Sequence, residues 1–163
     1  MKKITLSVGI EIFKYIQKII PYKLYIVGSA RREEEFLNDI DIIVLAKVEL
    51  ALPYIQNILY KIIRSGEHII SGITYYNTIK ISIDFFIVDK KDLPYALLQY
   101  TGPKLYNIRI RKYVKNQYGW LLNQYGIFYA NRPNIRVRGS SNLKSEKEVI
   151  NFIGTHWYLP KDR

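Results

Sequence analysis

LYIVGSARREEEFLNDIDIIVL, residues 24–45, sets the frame for the whole chain. An apolar strand, Leu24 to Val27, leads through a Gly28-Ser29 turn into a short charged helix, and a second strand then carries Asp39 and Asp41. Side chains alternate along a strand with period two, so the two carboxylates share one face while Ile40 and Ile42 point into a core. Like charges side by side on a strand are destabilising, and a divalent cation held by oxygen ligands neutralises them. The stretch reads as half of a metal site.

The turn adds a second element. A strand that ends in Gly-Ser and opens a helix presents backbone N–H groups, a positive dipole end and a hydroxyl to an anion. Arg32, one turn in, supplies a charge-assisted contact to the same anion. Gly-Ser alone occurs in countless turns; followed by Arg and then Asp-x-Asp on the next strand, it is far more selective.

The 163 residues suffice for one compact domain or two small lobes. Apolar residues make up 48%, which argues against disorder over most of the length. No apolar run approaches the ~20 residues of a membrane-spanning helix. The start, MKKITLSVGIEIF, is interrupted by Glu11 and lacks a small-residue cleavage site, so it does not read as a signal peptide. With no cysteine, disulfides, thiolate metal sites and cysteine nucleophiles are excluded. The formal charge of +11 is lopsided: residues 1–100 hold 13 Lys+Arg against 11 Asp+Glu, residues 101–163 hold 12 against 3. A cationic C-terminal part interleaved with Tyr and Trp suits the phosphates of nucleic acid, whereas a solubility surface or an anionic membrane is the plain alternative.

Around the central stretch, Val8, Ile12, Ile16, Ile19 and Ile20 predict a helix from Ser7, its N-cap, to Ile20. Ile55, Ile58, Leu59 and Ile62 predict a second, with Pro53 near its first turn and Gly66 after its end. Glu67–Tyr76 and Thr78–Val88 read as strands meeting at Asn77. In the latter, Asp84 faces away from the Ile row, and an unpaired acid amid ISIDFFIV needs a cation or an open cleft. Pro94–Gln99 is a short helix, broken at Thr101-Gly102-Pro103. From Pro103 to about Gln117 a basic helix buries Tyr106, Ile110, Tyr113 and Val114 and gathers Lys104, Asn107, Arg111 and Lys115 on the opposite face. Trp120–Leu122 and Gly126–Tyr129 suggest a small antiparallel sheet, followed by a turn through Asn131–Asn134. A basic loop with Arg136, Arg138 and Lys144 offers duplex-backbone contacts. Ser145 and Glu148 form a capping box before a last helix. His68 and His156 read as structural residues, and Glu33–Glu35 as a solvated face.

Three carboxylates from neighbouring strands, Asp39, Asp41 and Asp84, can hold two Mg²⁺ ions about 3.5–4 Å apart, with Mn²⁺ able to substitute. Beside a phosphate cradle, that is a nucleotidyl-transfer site. Asp39 and Asp41 would bridge both ions. Asp84 would serve the ion that binds the attacking 3′-hydroxyl, and could accept its proton.

The ordered series GSARREEEFLNDID, SIDFF, YTGPKLYNIRIR, LLNQYGIF and LPKDR resembles the family X DNA polymerases of the polymerase beta type over almost the whole chain. The short layout is most similar to the reduced viral branch of the African swine fever virus type. The resemblance implies an α+β fold: a nucleotidyltransferase palm, a mixed sheet with helices on one side, over residues 1–100, then a small basic α/β lobe for nucleotide selection and DNA binding over 101–163, with no N-terminal lyase domain. It implies that Gly28, Ser29 and Arg32 bind the triphosphate and that Asp39, Asp41 and Asp84 bind the metals. Tyr100, Thr101 and Gly102 would receive the nucleotide sugar, and Asn107 and Arg111 would meet base and template minor groove. An Arg there reads acceptors shared by all Watson–Crick pairs and so checks pairing rather than sequence. The pattern departs at Gln99 for a tyrosine, Lys104 for an acid and Gln124 for a glutamate, which bears on sugar selectivity and fidelity.

The expected function is template-directed addition of dNTPs to a primer in short gaps of DNA during repair, by a monomer with low processivity, inside a cell. For a virus, that means host cytoplasm or virion. The expected partners are gapped or primer-template DNA and dNTP, with no membrane. Two other functions fit parts of the pattern: a template-independent or small-substrate nucleotidyltransferase, which shares Gly-Ser and Asp-x-Asp, and a non-catalytic DNA-binding module.

Overall fold

The computed structural model describes residues 3–163; Met1 and Lys2, in the basic start, lie outside them. The chain divides into two compact units, one ending at Asp89 and the next beginning at Lys90. From sequence the boundary falls at 100/101; in the structure Tyr95 and Leu98 pack into the second core, which draws their helix into the second unit.

The first unit runs β1 (Ile4–Thr5), α1 (Leu6–Ile19), β2 (Leu24–Ile26), α2 (Gly28–Arg31), β3 (Phe36–Leu37), β4 (Asp39–Val44), α3 (Val48–Ile58), β5 (Lys61–Ser65), β6 (Ile69–Tyr76) and β7 (Ile79–Ile87). Five strands form one sheet in the order β2-β4-β7-β6-β5. β4 and β7 run parallel and the other neighbours antiparallel, so the sheet is mixed. Ile40, Ile42, Ile81, Ile83 and Phe85 join Ile12, Ile16, Ala51 and Ile55 of α1 and α3 in one buried cluster. Each Ile and Phe of this cluster contributes about 1.5–3 kcal/mol by leaving water. Asp39, Asp41, Ser82 and Asp84 alternate with this row and stay half-buried. A slip of one residue would drive the acids into the core, so the apolar rows fix the register.

Three local expectations change. α1 begins at Leu6 with Thr5 at its N-cap, and the Ser7 hydroxyl meets the Thr5 hydroxyl at 2.9 Å instead of capping the helix. α3 begins at Val48, which places Pro53 inside it, and ends at Ile58. Ile62 therefore belongs to strand β5, where β-branched side chains suit extended backbone and β6 accepts the edge. Asn77 and Thr78, both at positive φ, turn β6 into β7.

The second unit contains α4 (Leu93–Thr101), α5 (Lys104–Tyr118), β8 (Trp120–Asn123), β9 (Gly126–Tyr129), β10 (Arg132–Arg136) and α6 (Glu146–Phe152). The three strands form an antiparallel sheet in the order β10-β9-β8. Arg132–Arg136 is thus an edge strand, not a turn and loop; Pro133 sits where an edge tolerates a missing donor. The core gathers Tyr95, Leu98, Ile110, Val114, Leu122, Ile127, Val149 and Ile150. The inner stripe of α5 is Asn107, Ile110 and Val114, whereas Tyr106 is only part-buried and Tyr113 is exposed. Ser145 caps α6 as expected, accepting from the Glu148 N–H at 3.2 Å while Glu148 Oε2 accepts from the Lys144 N–H at 2.8 Å.

Candidate active site

Pairing of β4 with β7 places Asp41 directly opposite Asp84 and Asp39 opposite Ser82. All three acids lie on the face that the core leaves open. Burial pushes the Asp41 carboxyl up to about 7, the charges of Asp39 and Asp84 push the same way, and Arg32 opposes them. Burial and the Asp84 charge also raise Asp39, against a backbone hydrogen bond. The cluster is one of like charges in partial desolvation, which resists full ionisation by itself.

The Gly28-Ser29 turn is built against this cluster. The Val27 N–H donates to the Asp41 carbonyl at 2.9 Å, extending the β2–β4 ladder to the start of α2. Gly28 follows at φ +61, where a Cβ would fall 1.9 Å from Asp41 Oδ2. Only glycine fits there, on grounds of both conformation and space. Arg32 closes the short helix, and its Nε donates to Glu34 Oε1 at 3.0 Å while Nη2 donates to the same oxygen. Glu34, read from sequence as part of a solvated face, is indeed exposed, and it pairs with Arg32 beside the acid cluster.

The donor set is all oxygen, the chemistry that suits a hard divalent cation. Among the described residues no three His, Cys, Asp or Glu side chains converge into a ready metal cage. In the register Asp41 lies opposite Asp84, and Asp39 is the diagonal neighbour of Asp84. Three carboxylates on one face of two adjacent strands make a donor set that a hard divalent cation fits.

In the second unit, Thr101 is fully buried and burial pushes the Tyr100 hydroxyl up to about 12, helped by Tyr125. Gly102 joins Pro103 through a cis peptide bond. Asn107 does not share an outward face with Lys104 and Lys115: it is 8% exposed and donates through Nδ2 to the Gln99 carbonyl at 2.7 Å. Arg111, half-buried, donates to the Gln99 side chain, and burial lowers its pKa. Gln99 thus organises both residues. Lys104, Lys115 and Arg138 are exposed. Arg136 is not in an outward loop. It donates to Asp92 and to the Tyr125 carbonyl and lies over the Tyr95 and Phe128 rings, because β10 turns it inward.

A mixed sheet bearing a Gly-Ser turn against three acids, followed by a helical and β unit, is the layout of a nucleotidyl-transferring polymerase. The solved structures with this fold include Leishmania infantum polymerase beta in its ternary gap complex, with a TM-score of 0.84, 19% identity, and coverage of 99% of this chain and 71% of that one. Residues 96–163 match the family described as the DNA polymerase beta thumb. The Repair DNA polymerase X of African swine fever virus is 32% identical over 152 residues, which is 90% of this chain and 84% of that protein. The Bacillus subtilis DNA polymerase/3′-5′ exonuclease PolX is 33% identical across 83% of this chain and 23% of its own length. The chain belongs to the family X DNA polymerases, and it is a DNA-directed DNA polymerase of the repair type.

Proposed function

We propose that this polymerase fills short gaps by adding a dNTP to a primer 3′-hydroxyl, with Asp39, Asp41 and Asp84 holding two Mg²⁺ ions. Bound there, the ions would lower the pKa of the hydroxyl and neutralise the triphosphate. The chain's own groups do the rest. Ser29 and the N–H groups that open α2 receive the triphosphate, and Arg32 grips it once Glu34 gives way. Asp84 accepts the hydroxyl proton as the 3′-oxygen attacks the α-phosphorus and the bond to the β-phosphate oxygen breaks, releasing pyrophosphate. Tyr100, Thr101 and Gly102 seat the sugar. Asn107 and Arg111, held by Gln99, meet base and template, and Lys104, Lys115 and Arg138 bind DNA phosphates. The inward ion pair of Arg136 removes it from that set.

The observation that carries this reading is the contact of Gly28 with Asp41: it welds an anion turn to an acid cluster that needs a cation. Primer extension on one-nucleotide gapped DNA with Mg²⁺ or Mn²⁺ is the test. Incorporation should follow the template base and disappear in Asp41→Ala. Incorporation indifferent to the template would instead mark a terminal transferase, and no incorporation at all would end the proposal. The enzyme is taken to work as a monomer within a cell; sedimentation with gapped DNA should give one chain per gap. Among the described residues no helix is long and apolar enough to cross a membrane.

A further inference from the structure

We infer that the second unit carries a separate pocket for one unstacked nucleobase of a single DNA strand. A cavity of about 360 Å³ opens between α5 and the chain end, lined by Tyr106, Arg109, Tyr113, His156, Tyr158 and Arg163. The volume lies at the small end of ligand pockets and suits one base with its sugar. The lining is chosen for flat π systems: tyrosine rings, an imidazole and the exposed Arg109 guanidinium offer planes on which a base can stack. Arg163, its side chain fully buried against the Tyr106 and Trp157 rings, forms part of the wall. Asp162 and Thr155, also in the wall, offer hydrogen-bonding groups to a base edge.

Two features separate this cavity from ordinary packing. Tyr113 and Tyr158 are 39% and 46% exposed, so rings that a core would cover are left open around one hollow. The wall also holds polar groups without a counterpart: Tyr106 Oη and Arg163 Nη1 are buried and have no hydrogen-bond partner among the described residues. Arg163 Nη2 donates to Glu146 Oε1 at 3.1 Å, and the guanidinium lies 5.2 Å from the centre of the Tyr106 ring. Buried donors left unsatisfied are costly, and a base carbonyl, ring nitrogen or phosphate oxygen brought in by a small opening of the wall would satisfy them.

The pocket is not the template-reading face. Tyr106, Arg109 and Tyr113 recur at i, i+3 and i+7 on one side of α5, turned away from Lys104, Arg111 and Lys115. A row of rings leads on from it: Tyr113 meets Tyr118 at 6.2 Å and Tyr118 stacks on Trp120 at 4.5 Å. Gly154, at φ +70, keeps that row in place, since a Cβ there would lie 2.8 Å from Tyr118 Oη. The choice of DNA as the source of the base rests on the polymerase reading; a free nucleotide offers the same chemistry.

The full chain is titrated with a short oligothymidylate carrying one 2-aminopurine and, separately, with free 2-aminopurine deoxynucleoside monophosphate. The same titrations use His156→Ala/Tyr158→Ala, which removes two exposed rings. Stacking should quench the probe in the oligonucleotide, and the double variant should bind that strand about tenfold more weakly. Gap filling on a blunt-ended gapped duplex should be unchanged, which also certifies the variant's fold. An unquenched probe, or equal strand affinity of variant and parent, overturns the inference. Binding of the free monophosphate alone overturns the strand assignment. Loss of gap filling in the parent chain would strike the proposed reaction and leave both titrations readable.

Discussion

In the first unit Asp41 sits beside Asp39 and Asp84 with Arg32 opposing the repulsion; in the second, Glu146 faces Arg163 at 3.1 Å, with side chains 4% and 0% exposed. Both clusters bury carboxylates, on opposite terms. The first keeps like charges together and is destabilised by them, so its persistence points to a ligand. The second matches charge with charge, and removal of one partner strands the other. The two regions should therefore answer the same kind of mutation with opposite signs.

The largest effect expected is on catalysis. Asp41→Asn should lower nucleotide incorporation by about 10³-fold or more, measured as single-turnover gap filling, because it removes a carboxylate at the centre of the acid face. The same substitution should raise the melting temperature of the metal-free protein, since it removes a repulsive charge. Glu146→Ala should do the reverse, losing on the order of 3–5 kcal/mol in denaturant unfolding. If both variants move stability the same way, the contrast between the units is wrong.

The next prediction sharpens the first cluster alone. Asp41 titrates near 7 in the fold and at 3.8 ordinarily, so between those values the folded state holds a proton that the unfolded state has lost. Stability of the metal-free protein should fall as pH rises from about 4 to 7, by on the order of 2–4 kcal/mol, and level off above. Asp41→Asn should flatten that slope. Millimolar Mg²⁺ should flatten it too, by favouring the ionised carboxylates. Melting temperatures across pH, with and without Mg²⁺, give the comparison directly.

The same contrast governs what was legible in the sequence. Period-two alternation exposed β4, β7 and the common face of Asp39, Asp41 and Asp84, because those strands have one dry face and one wet one. Ser145 and Glu148 were readable because a capping box is local. β5 was lost because only Leu59 and Tyr60 separate it from α3, too few to leave a turn signal, and its apolar residues continued the helical count. Asn107 and Arg136 were misplaced for a different reason. A polar residue advertises no partner, and theirs are tertiary: Gln99 lies eight residues from Asn107, and Asp92 lies 44 from Arg136. The aromatic pocket was hidden likewise, since Tyr106 and Tyr113 meet His156 and Tyr158 only through the fold.

The smallest effect comes from comparing the two arginines. Arg163 is locked to a buried carboxylate, whereas Arg32 is paired with Glu34, whose side chain is 48% exposed. An exposed pair is worth under about 1 kcal/mol, so Glu34 can be exchanged for a stronger anion at little cost. A triphosphate is such an anion, with more charge and more acceptor oxygens than one carboxylate. On the proposed reading, in which Arg32 grips the triphosphate, Glu34 would compete with the nucleotide for Arg32 and set its affinity. Glu34→Gln should leave stability within about 1 kcal/mol and lower the KM for dNTP roughly two- to fivefold, with kcat unchanged. A higher KM would mean that Glu34 orients Arg32 for the phosphate instead of competing for it, and the two arginines would then be alike in needing their carboxylates.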